Sequence, residues 1–435
     1  MARFSRHGRH AARRATSCDL DQVYFLMHMH TYWLLSTGAF RRVTCFIPLN
    51  EGTLFCSAWR PSTDLPQSMA TVAATAAAAY TIAINFSSTA SPLRFSYGAD
   101  GNSGPECGTH VSVAAELHSF GATLIRTHDA DAIDWPLVFP HPKFDVPTDD
   151  PDSYDWTRAD AYFHKLVDNG FEPYVRLGTS WGQQGGGGLP PAGVPYNRTA
   201  LVDVLLHTVM HLNDGWGGGF TGKAVRHFEI WNEPDSSCAF HNISGCGRFW
   251  NRTAADFYAL VDEAARVIKT YDPTLSVGTC GAANLAWPAH NPYGLALIAE
   301  LGGRGTPLDF FSWHGYIDQP SWYAARAAEV RSALDAAFPG RNVAQHVTEF
   351  FPCVLYKEQD TAYGAAAFAS TLTTFVHSGV RLATLYPLCA GGEGRTGGKG
   401  WGLFDQESVP GVATWRRLTH AFAAFGEPPI RSRGC

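Results

Sequence analysis

The sequence predicts an eight-stranded parallel (β/α)8 barrel of the TIM type, and three observations support that prediction. Eight short runs rich in β-branched and aromatic residues alternate with stretches of helical period over about 340 residues. Long loops follow the predicted carboxyl ends of several strands, which is typical of barrels that build a binding site on that face. No Gly-x-Gly-x-x-Gly sequence follows the first strand, which argues against a doubly wound nucleotide-binding sheet.

The predicted elements alternate from about residue 80 onward, with helices bounded by recognisable start and stop signals. The Thr253–Tyr271 stretch, for example, begins with a hydroxyl residue three positions before an acid and ends before Pro273. The predicted strands are Leu93–Tyr97, Thr123–Thr127, Glu172–Leu177, His227–Trp231, Leu275–Thr279, Phe310–Trp313, Val343–Thr348 and Leu382–Pro387. The predicted helices are Val111–Phe120, Arg158–Asn169, Ala200–Leu212, Thr253–Tyr271, Pro292–Leu301, Ser321–Phe338, Asp360–His377 and Val412–Phe425.

Charge and composition divide the chain into a leader and a barrel. Residues 1–68 hold eight Arg and four acids, a net charge of +4. Because the whole chain has a net charge of −6, residues 69–435 carry −10. We expect residues 1–79 to be a leader, signal-like or disordered segment, residues 80–427 the barrel, and residues 428–435 a tail.

The negative net charge of residues 69–435 argues against nucleic acid or an anionic membrane as partner. The chain contains no run of about 18 purely apolar residues, so no membrane span is predicted.

The cysteines and glycosylation triplets favour an oxidising compartment. Ten Cys occur without a Cys-x-x-Cys metal spacing, and four Asn-x-Ser/Thr triplets begin at Asn85, Asn197, Asn242 and Asn251. We therefore expect a glycoprotein that is secreted or lies in an endomembrane lumen such as a vacuole or lysosome. Two disulfides are candidates from loop positions, namely Cys238–Cys246 and Cys353–Cys389.

Two carboxyl groups at predicted strand ends carry the chemistry. Glu233 follows strand four in Trp231-Asn232-Glu233-Pro234, and Glu349 ends strand seven, 116 residues later. Strands four and seven lie on opposed sides of an eight-stranded barrel, so the two side chains can face each other across its mouth. At a separation of about 5 to 5.5 Å, such a pair cleaves a glycosidic bond with retention, one carboxyl as acid/base and the other as nucleophile.

The chain resembles glycoside hydrolase family 39, the β-xylosidase and α-L-iduronidase family of the clan of retaining barrel glycosidases. The similarity covers about residues 80–427 and rests on five segments: Pro92–Ser96, Ile125–His128, Phe228–Asp235, Asp309–Tyr316 and Gly402–Asp405. The resemblance implies that Glu233 is the acid/base, Glu349 the nucleophile, and Asn232 the partner of the sugar 2-hydroxyl. Many members carry a β-sandwich after the barrel, and we expect little or none of it here.

Further side chains at the strand ends are candidates for the substrate site. His314 and Tyr316 end strand six, and either could orient Glu349, although ordinary packing would also explain the tyrosine. Arg126 and His128 end strand two, where a buried Arg needs a carboxylate such as Glu349 or Glu229, in the site or in a purely structural pair.

Three more residues are assigned from their position or residue type. Arg176 has the same two interpretations as Arg126, a site residue or part of a structural pair. Glu229 is predicted to be structural and paired with an Arg, because strand alternation places it on the same side as Glu233 but deeper in the barrel. Trp401 is predicted to bind substrate, since flat aromatic faces suit sugar rings.

The expected partner is an oligo- or polysaccharide, with no cofactor and no metal, since no His-x-His or His-x-x-x-His cluster lies at a strand end. Two alternatives stay open: a carbohydrate-binding barrel without chemistry, and a transglycosylase that shares the intermediate but excludes water. The sequence does not identify the sugar, its linkage, exo or endo action, or the oligomeric state.

Overall fold

The computed structural model describes residues 43–46, 55–58, 96–101, 103–107, 111–119, 121–128, 130–180, 197–236, 249–250, 252–283, 293–352, 362–390, 402–409 and 412–415. The chain forms two compact units, Met1–Leu93 and Arg94–Cys435. In the first unit, Val43–Phe46 pairs antiparallel with Phe55–Ala58.

The second unit contains a closed barrel of eight parallel strands, which confirms the predicted fold. Each strand pairs with its neighbour in sequence, and the eighth pairs with the first, so the barrel has no open edge. The strands are β1 Ser96–Asp100, β2 Leu124–Arg126, β3 Glu172–Leu177, β4 His227–Ile230, β5 Ser276–Ala282, β6 Phe310–Gly315, β7 Ala344–Phe350 and β8 Val380–Leu385.

Helices follow the strands and cover the outside of the barrel. Two begin at side-chain caps: the Asn197 side chain accepts from the Ala200 N–H, and the Thr253 side chain accepts from the Asp256 N–H, as its spacing predicted. The helices of six or more residues that follow β1 to β7 in the described residues are α1 Ala114–Ser119, α2 Thr157–Asp168, α3 Arg198–Asp214, α4 Ala254–Tyr271, α5 Tyr293–Gly303, α6 Pro320–Ala337 and α7 Ala362–His377.

Three predictions differ most clearly from the structure. The first barrel strand is Ser96–Asp100, three residues later than predicted, and Val111–Ser112 forms a short strand with Glu106–Cys107 where a helix was expected. The predicted helix Val412–Phe425 is wrong at its start, because Val412–Trp415 pairs antiparallel with Phe404–Val409. Its Val-Ala-Thr-Trp sequence has strong β-propensity, and strand pairing decides between the two structures. Residues 416–425 of that prediction lie outside the described residues.

The barrel interior is built in layers. Its apolar layer consists of Leu124, Tyr174, Phe310 and Leu382, which pack together fully buried. Side chains of a strand alternate with a period of two, so the residue two positions further on again points inward, one layer closer to the carboxyl ends. On β2 and β3 these next residues are Arg126 and Arg176, and charge therefore begins immediately above the apolar layer.

A disulfide connects the segments that follow the first and last barrel strands. Cys107 is bonded to Cys389 across 282 residues of sequence, so the predicted Cys353–Cys389 bridge is wrong. The physical reason is barrel closure, because β8 pairs with β1 and brings the loops after these two strands together. Cys238, Cys246 and Cys353 lie outside the described residues.

Among the described helices, none combines the length and apolar character needed to cross a bilayer.

Candidate active site

The segment after β4 turns sharply and aims its polar side chains into the barrel mouth. Trp231 and Glu233 both have left-handed backbone conformations, with φ of 74° and 42°. Such conformations cost roughly 1–2 kcal/mol each for residues with a side chain, so neighbouring contacts must hold them. The Trp231 N–H donates to the Leu177 carbonyl at 2.7 Å, and the Glu233 N–H donates to the Cys280 carbonyl at 2.8 Å.

A glycine makes room for this turn. Gly178 follows β3 with φ +118°, and a Cβ there would lie 2.6 Å from the Trp231 ring. The Trp231 indole N–H then donates to the Phe249 carbonyl at 2.7 Å, which fixes the ring. The turn before Glu233 is thus locked by packing from strand three on one side and by the loop after strand four on the other.

The two predicted catalytic carboxyls converge. One oxygen of Glu233, one oxygen of Glu349 and one ring nitrogen of His314 all lie within 4.8 Å of one another. Glu349 is buried, and the Glu233 side chain is 13% exposed. This spacing matches the short carboxyl separation of about 5 to 5.5 Å that retention requires, and not the roughly 6.5 to 9.5 Å that leaves room for an attacking water.

One buried arginine organises the floor of the site. Arg126 donates to Glu349 Oε1 at 2.9 Å and to Asp100 Oδ1 at 3.0 Å. It also bonds Glu229 Oε2 through Nε at 2.8 Å, and donates to Asn232 Oδ1 at 2.7 Å. Both carboxylate partners expected from the sequence are therefore present, and Glu229 has the predicted structural role.

Asn232 and His128 are oriented by the same arrangement. Because Asn232 Oδ1 accepts from Arg126, its amide nitrogen points towards His128 Nε2, 3.5 Å away. His128 Nε2 lies 3.4 Å from Glu349 Oε1. Burial, together with the charges of Arg126 and Arg176, holds the pKa of His128 well below its usual value, so this imidazole is neutral.

Tyr316 and His314 divide their contacts between the two carboxyls. The Tyr316 hydroxyl donates to Glu349 Oε2, as expected. Burial and the nearby Glu349 and Glu233 raise the Tyr316 pKa well above its usual value, so the hydroxyl remains a donor. His314 Nδ1 is nearer to Glu233 Oε1, at 2.8 Å, than to Glu349 Oε2, at 3.4 Å. Its main partner is therefore the predicted acid.

Burial shapes the protonation of this pair. Burial is the largest effect and raises the pKa of Glu349 to about 7. His314 lowers this pKa, and the charge on Glu233 raises it. Arg126 and the hydrogen bond from Tyr316 also lower it. Two carboxyls so close cannot both ionise easily, so the pair retains one proton below about pH 7. Burial also lowers the pKa of His314, which is therefore neutral near pH 7.

Arg176 belongs to a separate structural group. It donates to Asp134 Oδ1 at 2.7 Å and to the His128 carbonyl at 2.9 Å, and Ser180 donates to Asp134 Oδ2 at 2.6 Å. Burial raises the pKa of Asp134 to about 6, although Arg176 and Ser180 favour its charged form. This group fixes the segment after β3 and the backbone at His128, and not the catalytic pair.

Two site residues were missed by sequence reasoning. Asp100 ends β1 and pairs with Arg126, and Thr348 donates to Glu229 Oε1 at 2.8 Å. Asp100 lies beyond the predicted end of its strand, so the three-residue boundary error hid it. Thr348 directly precedes Glu349, and simple alternation would have turned it away from the interior. Trp401 lies outside the described residues.

The spacing of Glu233, His314 and Glu349 would also suit a metal ion. However, both oxygens of Glu349 already accept hydrogen bonds, from Arg126 and Tyr316, and His314 Nδ1 contacts Glu233 directly. A buried cation beside them, Arg126, further disfavours a second positive charge. The contacts of this group therefore fit hydrogen bonding better than metal coordination.

Comparison with known proteins gives one family and a set of similar folds. The family model Glycosyl hydrolases family 39 matches residues 143–367, just over half of the chain. No curated protein matches the sequence.

Similar solved structures include a glucosidase from Croceicoccus marinus, with a TM-score of 0.59, 23% identity, and coverage of 77% of this chain and 67% of that chain. A GH39 β-xylosidase from Caulobacter crescentus gives a TM-score of 0.53 and 22% identity over 76% of this chain and 70% of that one. Xylanase 10B from Thermotoga petrophila in complex with xylobiose gives 0.53 and 14% identity, covering 77% and 94%. These likenesses support the barrel fold.

Proposed function

The chain belongs to glycosyl hydrolase family 39 and is a glycosidase, and from its paired carboxyls we propose that it works by double displacement with retention of configuration. The observation that carries the proposal is the approach of Glu233 and Glu349 to within 4.8 Å, in one buried site. A carboxylate this close to the acid can reach the anomeric carbon itself, without an intervening water.

In the first step, a Glu349 oxygen bonds to the anomeric carbon while the bond from that carbon to the leaving oxygen breaks. Glu233 gives its proton to the leaving oxygen, and a glycosyl ester on Glu349 remains. In the second step, Glu233 takes a proton from water, the water oxygen bonds to the anomeric carbon, and the ester bond breaks. Both carboxyls then return to their starting protonation.

The neighbouring side chains support this sequence of steps. Arg126 and Tyr316 hold one oxygen of Glu349 each and so fix its direction of attack. Asn232 is proposed to bond the sugar 2-hydroxyl through its amide nitrogen, since its oxygen is committed to Arg126. His128, neutral and 3.4 Å from Glu349, is proposed to contact the same sugar.

For the glycone, we propose a neutral β-linked pyranose such as xylose or glucose. The similar structures include a β-xylosidase and a glucosidase. Residues 69–435 carry a net charge of −10, which disfavours a polyanionic substrate. The buried Arg176 pairs with Asp134 and so has its charge balanced without a sugar carboxylate. An α-L-iduronide is therefore the comparison substrate in the test.

The proposal is tested with aryl β-xyloside, β-glucoside and α-L-iduronide. We expect turnover of a neutral β-glycoside, with the first-formed sugar seen by proton NMR as the β-anomer. A 2-deoxy-2-fluoro analogue should label Glu349, and Glu349→Gln should not turn over. Glu300→Gln, an exposed carboxyl paired with Arg304 on α5, is the matched control and should behave as wild type.

Inverted product, or label on another residue, would refute double displacement. Binding of sugar without turnover would favour the non-catalytic barrel. Added sugar acceptor separates hydrolase from transglycosylase, because only the latter forms mainly the coupled product.

We also propose a secretory or lumenal location, supported by the Cys107–Cys389 disulfide and by an exposed Asn197 in an acceptor triplet. Peptide-N-glycosidase treatment of the native protein tests it.

A further inference from the structure

Four side chains form a continuous line of contacts behind the acid, and its far end is a carboxylate. Glu233 Oε1 lies 2.8 Å from His314 Nδ1, and His314 Nε2 lies 3.3 Å from Thr348 Oγ1. Thr348 Oγ1 in turn lies 2.8 Å from Glu229 Oε1. His314, Thr348 and Glu229 are buried, so these groups satisfy each other and not water.

A β-bulge places Thr348 in this line. Trp313 of β6 pairs with Val347, but the next residue, His314, pairs with Glu349, so Thr348 is the extra residue on β7. A bulge re-aims side chains that strict alternation would send to opposite faces. Thr348 and Glu349 therefore both point into the barrel, one towards Glu229 and the other towards Arg126.

The number of protons available fixes the direction of each hydrogen bond. Glu229 is the salt-bridge partner of Arg126, so its Oε1 can only accept. Thr348 has a single hydroxyl proton and gives it to Glu229, so towards His314 it can only accept. His314 is neutral near pH 7 because burial lowers its pKa, and it has one N–H to give. That N–H is therefore on Nε2, and Nδ1 presents a lone pair to Glu233.

We propose that Thr348 is a positioning residue that fixes the tautomer of His314 and thereby keeps the shared proton of the catalytic pair on Glu233. A lone pair at 2.8 Å bonds only with a protonated Glu233, which is the state that the first step consumes. After Glu233 has lost its proton, the same lone pair faces a carboxylate. Recovery of a proton from the attacking water is then favoured, which serves the second step.

This inference deepens the proposed function and rests on Glu233 as its acid. The other groups around the line are Glu349, whose Oε2 lies 3.4 Å from His314 Nδ1, the acids Asp100 and Asp235, the cation Arg126, and the neutral His128, Cys280 and Tyr316. A Thr348 variant leaves all of them in place. A change in the pH profile of such a variant is therefore attributable to the hydroxyl.

The test compares Thr348→Val, Thr348→Ser and the wild type. Without the hydroxyl, His314 can carry its proton on Nδ1 and donate to an ionised Glu233. We expect the basic limb of the kcat/KM profile to move about one pH unit lower in Thr348→Val, and Thr348→Ser to restore it. Thr373→Val on α7, whose hydroxyl bonds only the Ala369 carbonyl among described residues, is the matched control and should leave the limb unchanged.

A second measurement needs no activity and no variant of Thr348. In the wild-type protein labelled with 15N-histidine, the ring signals of His314, assigned by their loss in His314→Gln, should show the Nε2–H tautomer. An Nδ1–H tautomer, or a basic limb that Thr348→Val does not move, would overturn the proposal. Absence of glycosidase turnover or inverted product would instead refute the proposed function, while the tautomer still tests the line of hydrogen bonds.

Discussion

Replacing Glu349 by Gln should stabilise the fold at alkaline pH while it removes turnover. Burial raises the pKa of Glu349 from 4.5 to about 7, and because Glu233 and Glu349 share one proton, this ionisation belongs to the pair. A pKa difference of one between the folded and unfolded states corresponds to about 1.4 kcal/mol, so the ionised side chain costs the folded state about 3 kcal/mol. The carboxyl is 5% exposed, so solvent screens little of this cost.

The sign follows from where the proton is held. Below pH 4.5 the group is protonated in both folded and unfolded states, and it costs nothing. Between pH 4.5 and about 7 the unfolded side chain ionises while the folded Glu233–Glu349 pair keeps one shared proton, so stability falls over this range and levels off above about pH 7. The amide introduced by Glu349→Gln would be neutral throughout. Arg126 would keep Asp100 and Glu229 as partners, so no unpaired buried charge is created.

The assay is the free energy of unfolding by urea at pH 5 and at pH 8, for wild type, Glu349→Gln and the exposed control Glu300→Gln. The advantage of Glu349→Gln over wild type should grow by roughly 2–3 kcal/mol between the two pH values. The control, an exposed pair with Arg304, should change by less than about 0.5 kcal/mol. Parallel pH dependence of Glu349→Gln and wild type would refute the reasoning about burial.

Three further perturbations test the site and the barrel. Activity should fall about tenfold per pH unit above pH 7, because Glu349 and its partner then hold no proton for the leaving oxygen; kcat/KM profiles on the best aryl glycoside measure it. Gly281→Ala should lower kcat/KM by about 100-fold, because the new Cβ would lie 2.3 Å from His314 Nε2, and an unchanged value would contradict this close packing. Loss of the Cys107–Cys389 bond, which closes 282 residues, should remove on the order of 4 kcal/mol of stability; without reductant the Tm of the double Ser variant should be lower than that of wild type, and dithiothreitol should narrow the difference.

Most of the fold could be predicted because parallel barrel strands are nearly continuous apolar runs with clear turn signals. The prediction of β3 agreed at both ends, and the other barrel strands were placed within one to three residues. The strand at Val412–Trp415 was predicted as helix, because a short Val-Ala-Thr-Trp run fits both periods and only its pairing with Phe404–Val409 decides between them.

The site was predictable where a residue's position along a strand sets its depth in the barrel. Glu233, Glu349 and Arg126 lie at or just beyond the carboxyl ends of their strands, so their meeting at the mouth followed from barrel topology. The disulfide was not predictable from spacing, because Cys107 and Cys389 are far apart in sequence and meet only where β8 closes on β1.

The sequence by itself determined the barrel, the two carboxyls and the arginine between them, since the strand period and the closed topology bring these residues to one end. Only the tertiary structure decided which oxygen each group contacts. The bulge at Thr348 turns one extra side chain inward, and the local register shift leaves no trace in the hydrophobic pattern. The directions of the hydrogen bonds between Glu229 and Glu233 depend on this bulge. The Thr348 hydroxyl can orient the buried His314 imidazole only because the bulge points the hydroxyl towards that ring.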